Sequence, residues 1–176
     1  GNHGTVYGAT STTGKLGKGY QITAVGCIAV PDSSSLDMVG KSGFTMLAWV
    51  KNAGGCTVDH GIVVNKEDPY EIGIECTQNL LQEAIQLSDA LWLWSGTGVV
   101  EVGSWQHLAV TWDGVTVRHY IDGAEVFTRA LDGSFADRST GLGIGCRSVP
   151  AAASGPGGSF FAGVIVMYEG IAQISP

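Results

Sequence analysis

Charged side chains are scarce in this 176-residue sequence: Asp, Glu, Lys and Arg make up 14% of it, against roughly 25% in an average globular protein. A surface so poor in charge predicts that part of it is covered by a subunit, a domain or a ligand. The formal net charge is −7, and Lys and Arg form no cluster. Such a surface repels polyanions, so we expect neither nucleic acid nor an anionic membrane as partner.

Long hydrophobic runs are missing as well. Hydrophobic residues make up 44% of the chain, yet no apolar run approaches the ~20 residues of a membrane-spanning helix, so we expect no membrane insertion. No signal peptide is visible, which predicts that such a segment was removed or was never present. The length suits one domain with its own core, over residues 1–176. Glycine supplies 27 residues, about twice the usual share, which is typical of many tight turns.

The four cysteines show no C-x-x-C spacing, which argues against zinc and thioredoxin-like chemistry. Cys56 and Cys76 flank the segment GIVVNKEDPYEIGI, whose turn at 65–69 lies near their midpoint. In a hairpin these two cysteines face each other across antiparallel strands, and we predict a disulfide between them. Cys27 and Cys146 are then the remaining pair. Four buried free thiols are the alternative that the composition leaves open.

Strand alternation is clearest in WQHLAVTWDGVTVRHYIDGAEV, residues 105–126. Asp-Gly between two alternating runs favours a tight hairpin in which both central residues take positive φ, so we predict that Asp113 and Asp122 turn the chain and hold no ligand. His119 interrupts the inward series and is predicted to be half-buried and hydrogen-bonded, because no second metal ligand lies at strand spacing. The predicted inward apolar positions are Leu108, Val110, Trp112, Val115, Val117 and Ile121.

Short strand patterns recur along the rest of the chain, in YQITAVGCIAV, FTMLAWVK, GLGIGCRS and SFFAGVIVMY. The segment NLLQEAIQLS at 79–88 suits a helix by composition and a strand by position. VPAAASGPGGS at 149–159 is predicted to be a loop within the domain, because a strand follows it. Many short strands separated by turn signals predict an all-β fold, a two-sheet antiparallel jelly-roll sandwich.

The order GNHGT…GKLGKG, VPDSSSLD, FTMLAWVK, IVVNKEDPYEIGI, WQHLAVTWDG, VRHYIDG and LGIG resembles the laminin G-like and pentraxin-like jelly rolls of the concanavalin A-like lectin/glucanase superfamily. The resemblance covers most of the chain and is most specific at WQHLAVTWDG and YIDG. It implies a non-catalytic recognition or adhesion module, extracellular or on a cell or virion surface, that binds glycan or a surface protein through a sheet face or rim loops. The FAGVIVMYEG segment lacks the Asp-Glu pair that closing strands of this family usually carry.

Calcium at a sheet rim is a further expectation from the resemblance. Its candidate ligands are the loop carboxylates Asp32, Asp59 and Asp68, because calcium prefers hard oxygen ligands. No EF-hand-like spacing accompanies them.

The same superfamily contains lichenase- and laminarinase-type glucanases, whose catalytic strand reads E-I-D-I-E, and this chain has EIGIE at Glu71–Glu75. On a strand Glu71, Gly73 and Glu75 share one face, with the two glutamate Cα atoms about 13 Å apart. Retaining glycosidases need carboxyls roughly 5–5.5 Å apart. Gly73 stands where the glucanases place an Asp that tunes the pair. We therefore predict no enzyme, with a glycoside hydrolase using Glu71 and Glu75 as the alternative.

LWLWSG at 91–96 predicts a strand with Leu91 and Leu93 on one face and Trp92 and Trp94 on the other. The relatives place the leucines in the core, so the two tryptophans are expected on the outer face and are the candidate ligand-binding residues. Exposed tryptophans stack on sugar rings. We favour the alternative that segment 79–88 or a partner subunit covers them, because exposed Trp pairs are uncommon.

A second class of function, a structural subunit of an extracellular or virion surface assembly such as a filament, decoration or spike, fits the low charge and the Trp pair. Relatives usually carry a strand before the GNHGT segment with which this sequence opens. A jelly roll without it has an open sheet edge that invites strand addition. We expect another chain, or residues upstream, to cover the edge near Val6 or Val164–Met167, together with Trp92 and Trp94.

Overall fold

The computed structural model describes residues 2–23, 25–56, 59–88, 91–136, 138–148 and 158–166. Fourteen strands and one 3-10 helix, Ser34–Leu36, lie within these ranges. The strands are β1 (Thr5–Tyr7), β2 (Thr10–Thr13), β3 (Lys18–Ile22), β4 (Cys27–Val30), β5 (Phe44–Asn52), β6 (His60–Lys66), β7 (Tyr70–Glu75), β8 (Leu81–Ile85), β9 (Trp94–Ser95), β10 (Trp105–Trp112), β11 (Thr116–Ile121), β12 (Ala124–Ala130), β13 (Leu142–Ile144) and β14 (Gly163–Val166). No helix in the described ranges is long and apolar enough to cross a membrane.

Two antiparallel sheets of seven strands each make up the described fold, as an all-β jelly roll requires. Sheet 1 has the strand order β1-β4-β13-β6-β7-β8-β9, and sheet 2 has the order β12-β11-β10-β5-β14-β3-β2. The sheets pack face to face because alternate residues of their strands are apolar and point toward the other sheet. The core between the sheets buries Phe44, Met46 and Ala48 of β5 and Ile72 and Ile74 of β7. The predicted fold class is confirmed.

Two disulfides join neighbouring strand ends of sheet 1, in the pairing that the sequence predicts. Cys56, just before β6, is bonded to Cys76, just after β7, with Cα atoms 5.5 Å apart. Cys27 at the start of β4 is bonded to Cys146, shortly after β13, with Cα atoms 5.4 Å apart. The second bridge spans 119 residues of sequence, so it ties an early strand to a late one.

The predicted β10–β11–β12 meander is present, with Leu108 opposite Ile121 and Trp112 opposite Val117. A turn with Asp113 and Gly114 as its two central residues would have paired Trp112 with Val115, so the register of the first hairpin differs from the predicted one. At the second turn Asp122 and Gly123 both have positive φ, 51° and 83°. At the first turn only Gly114 does, at 95°, because the Asp113 backbone N–H and the Thr116 carbonyl already close the hairpin. The tight turn then consists of Gly114 and Val115.

Two further predictions within this meander are wrong. Val115 is 56% exposed, because it belongs to the turn and not to the inward series. His119 is fully buried, not half-buried, and neither ring nitrogen makes a hydrogen bond. Its closest charged neighbour is Glu83 of β8 on the facing sheet, with Nε2 3.5 Å from Oε1.

The LWLWSG segment forms a much shorter strand than the alternation predicts. Only Trp94 and Ser95 pair with β8, so the two-residue period does not apply to 91–93. Leu91 and Leu93 are 79% and 63% exposed, and their predicted place in the core is wrong. The ambiguous segment 79–88 contains a strand, β8, and no helix among its residues.

The sheet edges differ from the expected ones. β14 lies between β5 and β3, so Val164 and its neighbours are inside sheet 2, and the expectation of an open edge there is wrong. β1 is an edge strand of sheet 1, and its Val6 is 41% exposed. Met167 lies outside the described residues, as does most of the predicted loop at 149–159.

Candidate functional site

Sheet 1 carries its polar and aromatic side chains on the outer face around β7. In this strand Tyr70, Ile72 and Ile74 point into the core, so Glu71, Gly73 and Glu75 point outward. The register places further outward residues beside them on β6, β8 and β9. We call the following set the β7 surface: His60, Asn65, Glu67, Glu71, Gly73, Glu75, Gln82, Trp92, Trp94 and Arg147.

Trp94 is the most firmly held aromatic residue of the β7 surface. Its indole stacks on the His60 imidazole, with ring centroids 4.0 Å apart and planes 5° from parallel. His60 is fixed in turn by a 2.8 Å hydrogen bond between Nε2 and the Gln82 Oε1. A Cβ added to Gly73 would lie 3.1 Å from the Trp94 ring. The missing side chain at Gly73 therefore makes the room in which Trp94 lies over β7, and the tryptophan remains partly exposed.

Glu71 is fully buried beneath this surface. Its carboxylate accepts hydrogen bonds from Asn65 Nδ2 and, at 3.2 Å, from an Arg147 guanidinium nitrogen. The buried indole N–H of Trp92 lies near the same carboxylate but makes no hydrogen bond. Burial raises the pKa of Glu71 to about 7, although the positive charge of Arg147 opposes the shift. Glu71 is thus a carboxyl group that changes its charge near neutral pH.

Arg147 holds the segment after β13 against the β6–β7 hairpin. Its two terminal nitrogens lie 3.3 Å from Glu67 Oε1 and 3.2 Å from Glu71 Oε1. The neighbouring Ser148 adds two bonds: its backbone N–H donates to Asn65 Oδ1, and its hydroxyl accepts from the Glu67 N–H. The guanidinium is engaged by two carboxylates, so the β7 surface is cross-linked before any ligand arrives.

Glu75 sits at the other end of β7 and has a structural task. Its carboxylate accepts the backbone N–H groups of Thr77 and Gln78, both at 2.7 Å. These bonds, the one from Gln78 first, lower the pKa of Glu75 below its ordinary value. Glu71 is buried and paired while Glu75 caps a turn, and Trp94 occupies the surface between them. This arrangement is not the facing acid–nucleophile pair of a retaining glycosidase.

The structure does not bring the calcium candidates Asp32, Asp59 and Asp68 together. Asp59 directly precedes β6 and Asp68 follows it in the hairpin turn with φ 76°, so a strand of roughly 20 Å separates them. Asp32 instead binds the buried Lys66 ammonium at 2.7 Å. Asp37 and the Thr140 carbonyl oxygen bind the same ammonium group. No group of three metal-binding side chains occurs within the described residues, and calcium remains an expectation.

A second polar cluster lies in the core between the two sheets. Glu83 of β8 is fully buried and accepts hydrogen bonds from Arg129 of β12 and from Ser95. Burial alone would raise the pKa of Glu83, but the nearby His119 and the bonds from Arg129 hold it below its ordinary value. The cluster connects the two sheets and takes no part in the β7 surface.

Sequence reasoning found Trp92, Trp94, Glu71 and Glu75 but missed the residues that surround them. His60, Gln82 and Asn65 are brought in by strand register, and Arg147 by the segment after β13. The local signal was weak, because His60 and Asn65 of β6 and Gln82 of β8 stand singly among apolar residues. Arg147 carried no local signal, because it lies 76 residues from Glu71 in the chain.

The two-sheet sandwich with an aromatic and carboxylate surface on one outer face defines the architectural class of the protein. Residues 25–167 match the laminin G model of the concanavalin A-like lectin/glucanases superfamily. Since the match covers well over half of the chain, the protein belongs to this superfamily. No curated protein sequence matches the chain.

Solved structures with the same fold include binding domains of bacterial toxins and a domain of a glycan-degrading enzyme. The binding domain of Paraclostridial Mosquitocidal Protein 1 has a TM-score of 0.69 and 14% identity, over 92% of this chain and 41% of that one. Domain 4 of AbnA, a GH43 extracellular arabinanase from Geobacillus stearothermophilus solved with arabinotriose, has a TM-score of 0.64 and 20% identity, over 92% and 78%. The binding domain of Botulinum Neurotoxin DC in complex with SialylT has a TM-score of 0.64 and 12% identity, over 81% and 38%.

The chain therefore spans about two fifths of the two toxin domains and most of the arabinanase domain. At these identities the likeness establishes a shared fold.

Proposed function

We propose that this protein is a non-catalytic module that binds glycan on the β7 surface. The observation that carries the proposal is Trp94, an aromatic platform immobilised by His60 and Gly73 and bordered by polar side chains. Sugar recognition in proteins combines an aromatic ring, which contacts the apolar face of the sugar, with hydrogen-bonding groups that bind its hydroxyls. The rigid stack reduces the entropy that would otherwise be lost on binding.

The comparisons support this choice of ligand class. The arabinanase domain was solved with arabinotriose and the neurotoxin domain with SialylT. The two disulfides fit an oxidising compartment, so we place the module outside the cytosol. The arrangement of Glu71 and Glu75 supports a binding role over glycoside hydrolysis, because neither carboxylate is poised as nucleophile or acid.

The experiment compares two tryptophan variants on a glycan array and by titration calorimetry. Trp94→Ala removes the platform, whereas Trp49→Ala removes a partly exposed tryptophan from the outer face of sheet 2, where it packs on His107. We expect Trp94→Ala to weaken glycan binding at least tenfold, about 1.4 kcal/mol, and Trp49→Ala to bind as the wild type does. Circular dichroism and thermal unfolding check that both variants are folded.

Equal loss in both variants, or no loss in either, would contradict the proposal. Hydrolysis of soluble β-glucan or arabinan that Glu71→Gln abolishes would instead establish an enzyme. The intermediate variant Trp94→Phe keeps a smaller ring against His60, and we expect it to retain part of the affinity.

A further inference from the structure

We infer that the glycan bound at the β7 surface is uncharged, and that this surface discriminates against sialylated, uronic and sulfated sugars. The inference rests on the proposed function and specifies its ligand class. Its basis is the distribution of charge on the β7 surface, which holds three carboxyl groups: Glu71 and Glu75, on either side of the Gly73 position that Trp94 covers, and Glu67 in the β6–β7 turn. Arg147 is the only guanidinium or ammonium group among the residues that define the surface.

Arg147 is not available to an anionic sugar. Its two terminal nitrogens already contact Glu67 and Glu71, at 3.3 and 3.2 Å. A sugar carboxylate or sulfate would have to replace one of these contacts and leave a protein carboxylate without its partner. Arg147 is the positive charge that opposes the burial of Glu71, so its loss would make the charged form of this fully buried carboxyl group still less favourable. The guanidinium therefore acts as a positioning group that fastens the segment after β13.

The exposed charges act in the same direction. Glu75 lies beside His60 in the register, directly next to the imidazole on which Trp94 stacks. Asp59 precedes His60 and is exposed. An anionic ligand stacked on Trp94 would meet the like charge of Glu75 beside His60, while the guanidinium of Arg147 is already paired with Glu67 and Glu71. Uncharged hydroxyls meet a different environment, because carboxylate and amide oxygens accept hydrogen bonds from them.

The hydrogen-bonding groups of the surface also match neutral sugars. The carboxylate oxygens of Glu67 and Glu75 each accept one hydrogen bond within the protein and keep a second lone pair. The Gln82 amide, whose oxygen pairs with His60, adds an NH2 donor. Hydroxyl groups of a pyranose or furanose both donate and accept, so they pair with such groups without bringing a charge. The surface thus combines a preorganised ring with a negative border.

The test pairs each acidic probe with its own methyl ester, which has the same sugar and no charge. The probes are trigalacturonic acid and 3′-sialyllactose with their methyl esters, and arabinotriose as a neutral reference. Binding is first screened on an array of neutral, sialylated, uronic and sulfated glycans. The affinity of each probe is then measured by calorimetry. We expect array binding to neutral glycans only and a preference of at least roughly tenfold for any ester over its acid. Binding of the neutral glycan should change less than about twofold between low and high salt, since no ion pair forms.

Two charge variants show whether the border causes the discrimination. Glu67→Gln removes one carboxylate of the β7 surface and one contact of Arg147. We expect it to lower the ratio of the affinity for the ester to the affinity for the acid. Glu125→Gln removes the same charge from β12, on the other sheet, and should leave the preference unchanged. If this affinity ratio falls in both variants, or in neither, the carboxylates of the β7 surface do not cause the discrimination.

The outcomes separate the inference from the function on which it rests. An acidic glycan that binds as tightly as its ester, through an interaction that Trp94→Ala removes, overturns the inference and leaves glycan binding on the β7 surface standing. Absence of any array binding, or binding that Trp94→Ala leaves intact, refutes the proposed function itself.

Discussion

Replacing Glu71 by Gln should make the protein more stable at neutral pH and leave it unchanged in acid. Burial raises the pKa of Glu71 from 4.5 to about 7. The folded state therefore binds a proton more tightly than the unfolded chain does. The stability contributed by this proton is fully present below pH 4.5 and is lost as the pH rises through 7. A glutamine has the same shape and no proton to lose.

The size of the expected change in unfolding free energy follows from the pKa shift of Glu71. A difference of about 2.5 pKa units corresponds to about 3 kcal/mol, at 1.36 kcal/mol per unit. We therefore expect the difference in unfolding free energy between Glu71→Gln and the wild type to grow by up to 3 kcal/mol, approximately, between pH 4 and pH 8. Other carboxylates with lowered pKa, such as Glu83 and Asp113, make opposite contributions. They are common to both proteins and cancel in the difference.

The measurement is urea unfolding followed by tryptophan fluorescence at pH 4, 6 and 8, with Glu125→Gln as the control for losing a half-exposed carboxylate. A difference that stays constant with pH would show that Glu71 titrates normally. A difference that grows toward acid would show that the ion pair with Arg147 outweighs burial and that the pKa of Glu71 is lowered, not raised.

Three further outcomes are expected. Asp122 has φ 51°, so Asp122→Asn should be tolerated, whereas Asp122→Ala should cost about 1–2 kcal/mol in thermal unfolding; equal stability of the two would contradict the turn assignment. Removing the Cys56–Cys76 bridge, which closes a 20-residue span, should cost ~3 kcal/mol in urea unfolding, and recovery of both as free thiols from protein never exposed to reductant would refute the pairing. Gly73→Asp restores the E-I-D-I-E pattern, but its side chain meets Trp94; we expect weaker glycan binding and no β-glucan hydrolysis, and measurable hydrolysis would show that the platform is dispensable.

The fold could be predicted from local patterns because strands and turns leave local signals. The alternation in WQHLAVTWDGVTVRHYIDG specified the strands, and Asp122-Gly123 took the conformation that such a turn demands. The register of the first hairpin was not specified, because its turn lies one residue later, at Gly114 and Val115. The disulfide between Cys56 and Cys76 followed from the hairpin between them. Each inference needed only residues that are neighbours in sequence or across one turn.

The site could be predicted only in part because its contacts are long-range. Trp94 was recognised as a candidate, but its orientation depends on His60, which lies on a different strand. The leucines at 91 and 93 were misplaced because pairing with β8 begins only at Trp94. His119 was expected to be half-buried and hydrogen-bonded, yet it is fully buried beside Glu83, which comes from the facing sheet. Alternation along a strand carries no information about the sheet that packs against it.

The position of β14 has a consequence for the order in which the chain becomes a folded protein. In sheet 2 the β2–β3 hairpin is joined to the other strands only through β14, residues 163–166. Until β14 has been synthesised, β3 of the early hairpin and β5 of the larger unit each have an edge without its partner strand. Unpaired edges of this kind are sites of misassembly between nascent or refolding chains. β14 is therefore the strand that closes sheet 2, and the sheet is complete only after residue 166 has been synthesised.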